Sequence, residues 1–138
     1  MTMQKNPIKE AERYLDNAKK ILSEKAGKEG NYYSDQKYVK MAGNTAWNGV
    51  LVALDGTLEV RKNLKKGQRP DIDDYRNALY AKDRKMNSVF LSAYETLHKA
   101  LGYDGNPSYK VVQSGMEDGL AVIAWASKQY KPSLIAEK

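Results

Sequence analysis

Apolar residues recur at intervals of three and four along nearly the whole chain, a period that belongs to one face of an α-helix. Ile8, Ala11, Leu15, Ala18 and Leu22 form a first series, and Val39, Ala42, Ala46, Val50 and Ala53 a second. Ile72, Tyr75, Leu79, Met86, Phe90, Ala93, Leu97 and Leu101 form a third, and Val112, Met116, Leu120 and Ile123 a fourth. No stretch of useful length alternates with the two-residue period of a half-buried strand. Such a chain buries its apolar stripes by packing helix against helix, so the expected class is all-α.

Proline is tolerated in the first turn of a helix and is costly in its interior, so Pro7, Pro70, Pro107 and Pro132 punctuate the series. Asn6 stands before Pro7 as an N-cap, and Gly27 and Gly30 stop the first helix. Ser34-Asp35 opens the second, whose stripe continues through Val60 and Leu64 to Lys65-Lys66-Gly67; Trp47, Leu51, Leu54 and Leu58 widen it. Asp71 caps the third, with Asp73 and Asp74 in the first turn. The charged run Lys82-Asp83-Arg84-Lys85 interrupts that stripe, read as a polar step in one long helix with a break at Asp83 as the alternative. Asn106-Pro107-Ser108 opens the fourth helix and Pro132 ends it. The predicted helices are approximately 7–26, 35–66, 71–101 and 108–130. Short linkers favour antiparallel neighbours, so the expected architecture is an up-and-down antiparallel four-helix bundle, one domain over residues 1–138. Gly43, Gly49, Gly56, Gly115 and Gly119 fall inside predicted helices, where close helix contact is the expected reason.

Several chemistries lack their residues. With no cysteine there is no disulfide framework, thiolate metal site or cysteine nucleophile. Glu95-Thr96-Leu97-His98 has the Glu-x-x-His spacing of di-iron bundles, but the chain has one histidine and cannot supply the second motif. Neither a Gly-x-Ser-x-Gly elbow nor a phosphate-binding glycine loop is present. No catalytic residue, metal site or cofactor is therefore assigned. The longest apolar runs fall well short of the ~20 residues of a membrane span. The opening residues lack the apolar region of a signal peptide, so a cytoplasmic location is expected.

Two clusters remain as binding candidates. The formal charge is +6, and Arg61, Lys62, Lys65, Lys66 and Arg69 crowd the junction of the second and third helices. Cations at a helix C-terminus complement its dipole; clustered basic charge also attracts phosphate. Tyrosine is the other excess, ten against one phenylalanine. In an antiparallel bundle the first and third linkers share a pole, and Tyr33, Asp35, Tyr38, Tyr103, Asp104 and Tyr109 lie in or beside them, with Tyr94 and His98 nearby on the third helix. Amphipathic rings seal a bundle end and also build small-ligand or partner sites. A thirty-residue second helix would put the aromatic and basic poles on the order of 45 Å apart, with His98 near Tyr33, Tyr38, Tyr103, Asp35 or Asp104.

The strings Tyr33-Ser34-Asp35-Gln36-Lys37-Tyr38-Val39-Lys40-Met41-Ala42 and Leu97-His98-Lys99-Ala100-Leu101-Gly102-Tyr103-Asp104-Gly105 carry a resemblance. With the helix order, they resemble a small bacterial four-helix family, a domain of unknown function without an established activity. More distantly the pattern is similar to HEPN-like bundles, which include RNases of toxin–antitoxin systems and substrate-binding partners of minimal nucleotidyltransferases. The nuclease branch carries an arginine four to six residues before a histidine. Here Leu91 to Leu97 precede His98 without an arginine, and Arg84 is the nearest upstream. The expectation is thus a non-catalytic module that binds a protein partner or self-associates. The alternative is an HEPN-like accessory protein that binds RNA or a nucleotide without cutting it.

Overall fold

The computed structural model describes residues 6–62 and 64–131, so the expected stop at Pro132 lies outside the described residues. The fold is all-α: α1 (Pro7–Lys25), α2 (Gln36–Asp55), α3 (Ile72–Lys82), α4 (Arg84–Ala93) and α5 (Tyr109–Gln129). A π-helical segment, Tyr94–Tyr103, continues α4. The two-residue strands β1 (Lys28–Glu29) and β2 (Tyr32–Tyr33) pair antiparallel between α1 and α2.

Caps begin the helices where the sequence placed them. The Asn6 side chain accepts from the backbone N–H groups of Ile8 and Lys9 at 2.9 and 3.2 Å. Asp71 and Asp74 close a reciprocal capping box on α3, with bonds of 3.0 and 2.8 Å. Neighbouring helices run antiparallel. Gly49 of α2 lies against Tyr14 and Ala11 of α1, while Gly56 meets Pro7 at the start of α1. Gly43 backs onto Leu97, Leu101 and Gly102 of the π segment, and Gly115 of α5 onto Thr96 and Leu97. A Cβ on Gly43 would fall 2.5 Å from Leu101 Cβ and 2.7 Å from the Gly102 nitrogen. That approach explains a glycine in mid-helix despite its cost of ~1 kcal/mol relative to alanine. The core between these helices includes Phe90, Leu54, Leu97, Leu101, Val50 and Ile123, each fully buried and worth roughly 1.5–3 kcal/mol of transfer free energy for the side chain.

Two helix boundaries correct the expectation of four long helices. The second helix stops at Asp55 rather than continuing to residue 66. Gly56 is its C-cap, and the Thr57 hydroxyl donates to the Ala53 carbonyl at 2.9 Å, satisfying an acceptor that another turn would have used. Leu58 and Val60, which extend the helical period in sequence, are buried from the loop instead. The third predicted helix is broken at Asp83, where the backbone is extended, and the chain turns back on itself. The ring of Tyr75 then lies 6.3 Å from that of Phe90, so α3 packs along α4 rather than continuing it. Asp83 holds this corner: its carboxylate accepts from the Met86 N–H at 2.9 Å and from the Trp125 indole at 3.1 Å. α3 is thus a fifth helix outside the four-helix up-and-down pattern. On α5, Leu120 is 49% exposed, and the buried stripe runs through Val112, Gly115, Met116, Gly119, Val122, Ile123 and Ala126.

Candidate ligand groove at the tyrosine pole

The two tyrosine-bearing linkers do meet. The Tyr33 N–H donates to the Pro107 carbonyl, and the Tyr109 N–H to that of Asn31, each at 2.9 Å. The Gln36 amide donates to the Gly105 carbonyl at 3.2 Å, tying the start of α2 to the same loop. These bonds seat the rings of Tyr33 and Tyr109 6.0 Å apart. Tyr33 is buried, and burial, with the neighbouring Tyr109 second, raises its phenol above the usual tyrosine value.

Beside this pair a groove of about 450 Å³ opens between α1 and α5, with Leu22, Tyr33 and Met116 as its apolar surface. Lys19, Ser23, Lys28, Tyr109 and Gln113 complete the lining. The Lys28 ammonium stands 4.4 Å from the Tyr109 ring centre, a cation–π contact worth about 0.5–1 kcal/mol at an exposed site. The volume lies in the range of small-molecule sites.

The remaining aromatic-pole candidates are dispersed. Tyr38 is half-buried under Lys25 and Lys37, whose ammonium groups lie 5.9 and 5.1 Å from its ring centre. Asp35 caps α2 through the Lys37 N–H at 3.1 Å. Tyr103 is 80% exposed, and Asp104 is an exposed C-cap of the π segment. The ring contacts of His98 among the described residues are with Tyr94 and Trp47 rather than with the Tyr33, Tyr38 or Tyr103 that the sequence suggested. Its ring stacks on Tyr94 at 5.3 Å and tilts against Trp47 at 5.8 Å, on the side of α2 that faces the start of α3.

There His98, Tyr94, Trp47, Pro70, Asp71 and Tyr75 border a cleft of about 230 Å³. A second cleft of about 340 Å³ shares Leu51, Pro70 and Tyr75 with it and adds Asp55, Arg61 and Arg69. The two clefts adjoin at these shared residues, and the pair is termed the trough. Tyr75 donates to Asp55 at 3.0 Å, and Arg61 pairs with the other oxygen of that carboxylate at 3.3 Å. Burial first, then the Asp55 charge and hydrogen bond, raise the Tyr75 phenol far above its ordinary value.

The basic cluster lies at the junction of α2 and α3, where the sequence placed it, but on a loop rather than at the end of a long helix. Arg61, Lys62, Lys65, Lys66 and Arg69 are exposed on the loop after α2, and the last turn of that helix itself holds no basic residue. Lys62 pairs with Glu59 at 3.8 Å across two exposed side chains. A twenty-residue α2 spans only about 30 Å, and Leu51, Pro70 and Tyr75 border both the cleft that holds Tyr94 and His98 and the one that holds Arg61 and Arg69. The division into one basic and one aromatic pole fails for that reason.

Sequence reasoning did not select Lys19, Lys28, Gln113 or Met116 for the groove, nor Trp47, Asp55 or Tyr75 for the trough. Lys19 and Leu22 are three apart on α1, and Gln113 and Met116 three apart on α5, spacings that place each pair on one face. That two such faces adjoin depends on the packing of α1 against α5. Among the described residues no group of three or more His, Asp or Glu side chains converges as metal ligands, and no helix is long and apolar enough to cross a membrane.

The fold and its grooves define an all-α protein of antiparallel helices with ligand-sized clefts between them. Residues 6–128 match the family model described as Domain of unknown function (DUF5618), and the chain belongs to that family. Among solved structures it is similar to a protein of unknown function from Dyadobacter fermentans, at 42% identity and a TM-score of 0.77. The match covers 88% of this chain and 93% of the other. No curated protein matches the chain.

Proposed function

We propose that this chain is a non-catalytic binding module whose site is the groove between α1 and α5 at the tyrosine pole. The observation behind this reading is the joining of two linkers, distant in sequence, into one backbone-bonded frame that seats Tyr33 and Tyr109 at the edge of a 450 Å³ groove. Rings fixed in this way lose little conformational entropy when they meet a ligand. Tyr32 and Tyr103, in or beside the same linkers, are 53% and 80% exposed, which leaves ring surface for a protein partner or a second copy at this end. The test is a screen of small aromatic and aliphatic fragments against isotope-labelled protein. Fragments that bind should move the signals of Tyr33, Tyr109 and Met116, and a Gln113→Trp substitution that fills the groove should abolish those shifts. Binding confined to other surfaces would overturn the assignment.

A second reading, an HEPN-like accessory protein that binds RNA or a nucleotide, draws support from the trough, where Arg61 and Arg69 border one cleft, Tyr94 and His98 the other, and Tyr75 both. Guanidinium groups and rings are the usual means of holding phosphate and base. Asp55 and Asp71 line the same trough and offset its positive charge, which places this reading second. Labelled RNA titrated over a salt series decides it: real phosphate contacts give an affinity that falls steeply with salt, and no binding at low salt removes the reading.

A further inference from the structure

The groove between α1 and α5 also points to a ligand class, in an argument that rests on its being the binding site. Among the described residues its ionisable lining consists of Lys19 and Lys28, with the phenols of Tyr33 and Tyr109, and includes no carboxylate. Ser23 and Gln113 add a hydroxyl and an amide that can donate to an anion. The same lining includes the apolar side chains of Leu22 and Met116 and the buried ring of Tyr33. The Lys28 ammonium is held against the Tyr109 ring, at 4.4 Å from its centre, so one cation is positioned at the groove wall before any ligand arrives.

We infer that the groove takes a small organic monoanion, a carboxylate on a compact apolar body, with the carboxylate at Lys19 and Lys28 and the body against Leu22, Met116 and Tyr33. A cationic ligand would meet two like charges here and find no counter-charge. A polyphosphate or an oligonucleotide strand would leave the apolar surface unused, and the 450 Å³ space suits a small molecule. Met116 adds an adaptable thioether wall, which accommodates aryl and short alkyl bodies alike.

Three probes of one shape and different head groups test this: 3-phenylpropionate, 3-phenylpropan-1-amine and 3-phenylpropan-1-ol, titrated at low salt into the full-length, isotope-labelled chain. The carboxylate should move the signals of Tyr33, Tyr109, Gln113 and Met116 and bind at least about tenfold tighter than the amine, a difference of about 1.4 kcal/mol. Lys28→Gln, at an exposed position, loses the contact with the Tyr109 ring and should lower the melting temperature by no more than roughly 4 °C, while weakening the carboxylate by about fivefold with little effect on the alcohol. Equal binding of all three probes would overturn the anion class and leave the groove as a binding site. No movement of groove signals with any probe would overturn both the class and the groove assignment.

Discussion

Tyr75→Phe removes one hydroxyl from a side chain that is otherwise 4% exposed, and little else changes at the site. The lost bond is a 3.0 Å donation to the Asp55 carboxylate. A hydrogen bond to a charged acceptor contributes about 1.5–3 kcal/mol. Asp55 keeps Arg61 at 3.3 Å, and its side chain is 28% exposed, so part of the loss is recovered by the remaining partner and by water. The expected destabilisation is therefore about 1–2 kcal/mol, or a fall in melting temperature of roughly 3–8 °C for a domain of this size. The pH dependence has a definite sign. The folded state raises the Tyr75 phenol above its ordinary value of 10.0, so ionisation favours the unfolded chain. The stabilisation is fully present below about pH 10 and is lost as pH rises from there towards the folded-state value. Denaturant unfolding of both proteins should show a constant stability gap from about pH 7 to 9 and a narrowing gap above about pH 10. No gap at neutral pH, or one that stays constant at high pH, would refute the assignment of the bond and its charge coupling.

Four further substitutions separate packing from polarity. Gly43→Ala should destabilise by about 1–3 kcal/mol in urea titrations, because its Cβ would lie 2.5 Å from Leu101 Cβ and 2.8 Å from the Leu97 carbonyl oxygen, and two helix backbones must part. Gly119→Ala should be near neutral or stabilising, since its Cβ would meet the movable end of Leu97 at 3.1 Å while helix propensity gains ~1 kcal/mol. Asn87 is 6% exposed and its Oδ1 has no hydrogen-bond partner among the described residues, so Asn87→Leu should raise stability by about 1–2 kcal/mol; a lower melting temperature would count against that. Trp125→Phe deletes the 3.1 Å bond to Asp83 and should cost about 1–2 kcal/mol, with amide exchange accelerating first around the α3/α4 corner.

Local rules were sufficient for much of this molecule. The three-and-four spacing of Ile8 to Leu22 and of Phe90 to Leu101 determined which faces are buried, and Asn6, Asp35, Asp71 and Ser108 determined where helices begin, because both depend on residues within one or two turns. The order of linkers in an antiparallel chain was enough to bring Tyr33 and Tyr109 to one pole. The end of α2 was not legible from periodicity, since Leu58 and Val60 are as well buried from a loop as from a helix, and the competing signal was Gly56, seated against Pro7. The break at Asp83 was legible only as an alternative, because its charged neighbours fit an exposed helical turn as well as a corner; the Trp125 indole, forty-two positions away, bonds its carboxylate at the corner the chain takes. The candidate sites followed the same division. The sequence alone showed an all-α chain, an excess of tyrosine and a basic loop. Only the tertiary structure set Lys19 and Lys28 beside Tyr33, and His98 beside Trp47 and the start of α3, because grooves form between helices whose neighbours in space are set by how their side chains fit rather than by their separation along the chain.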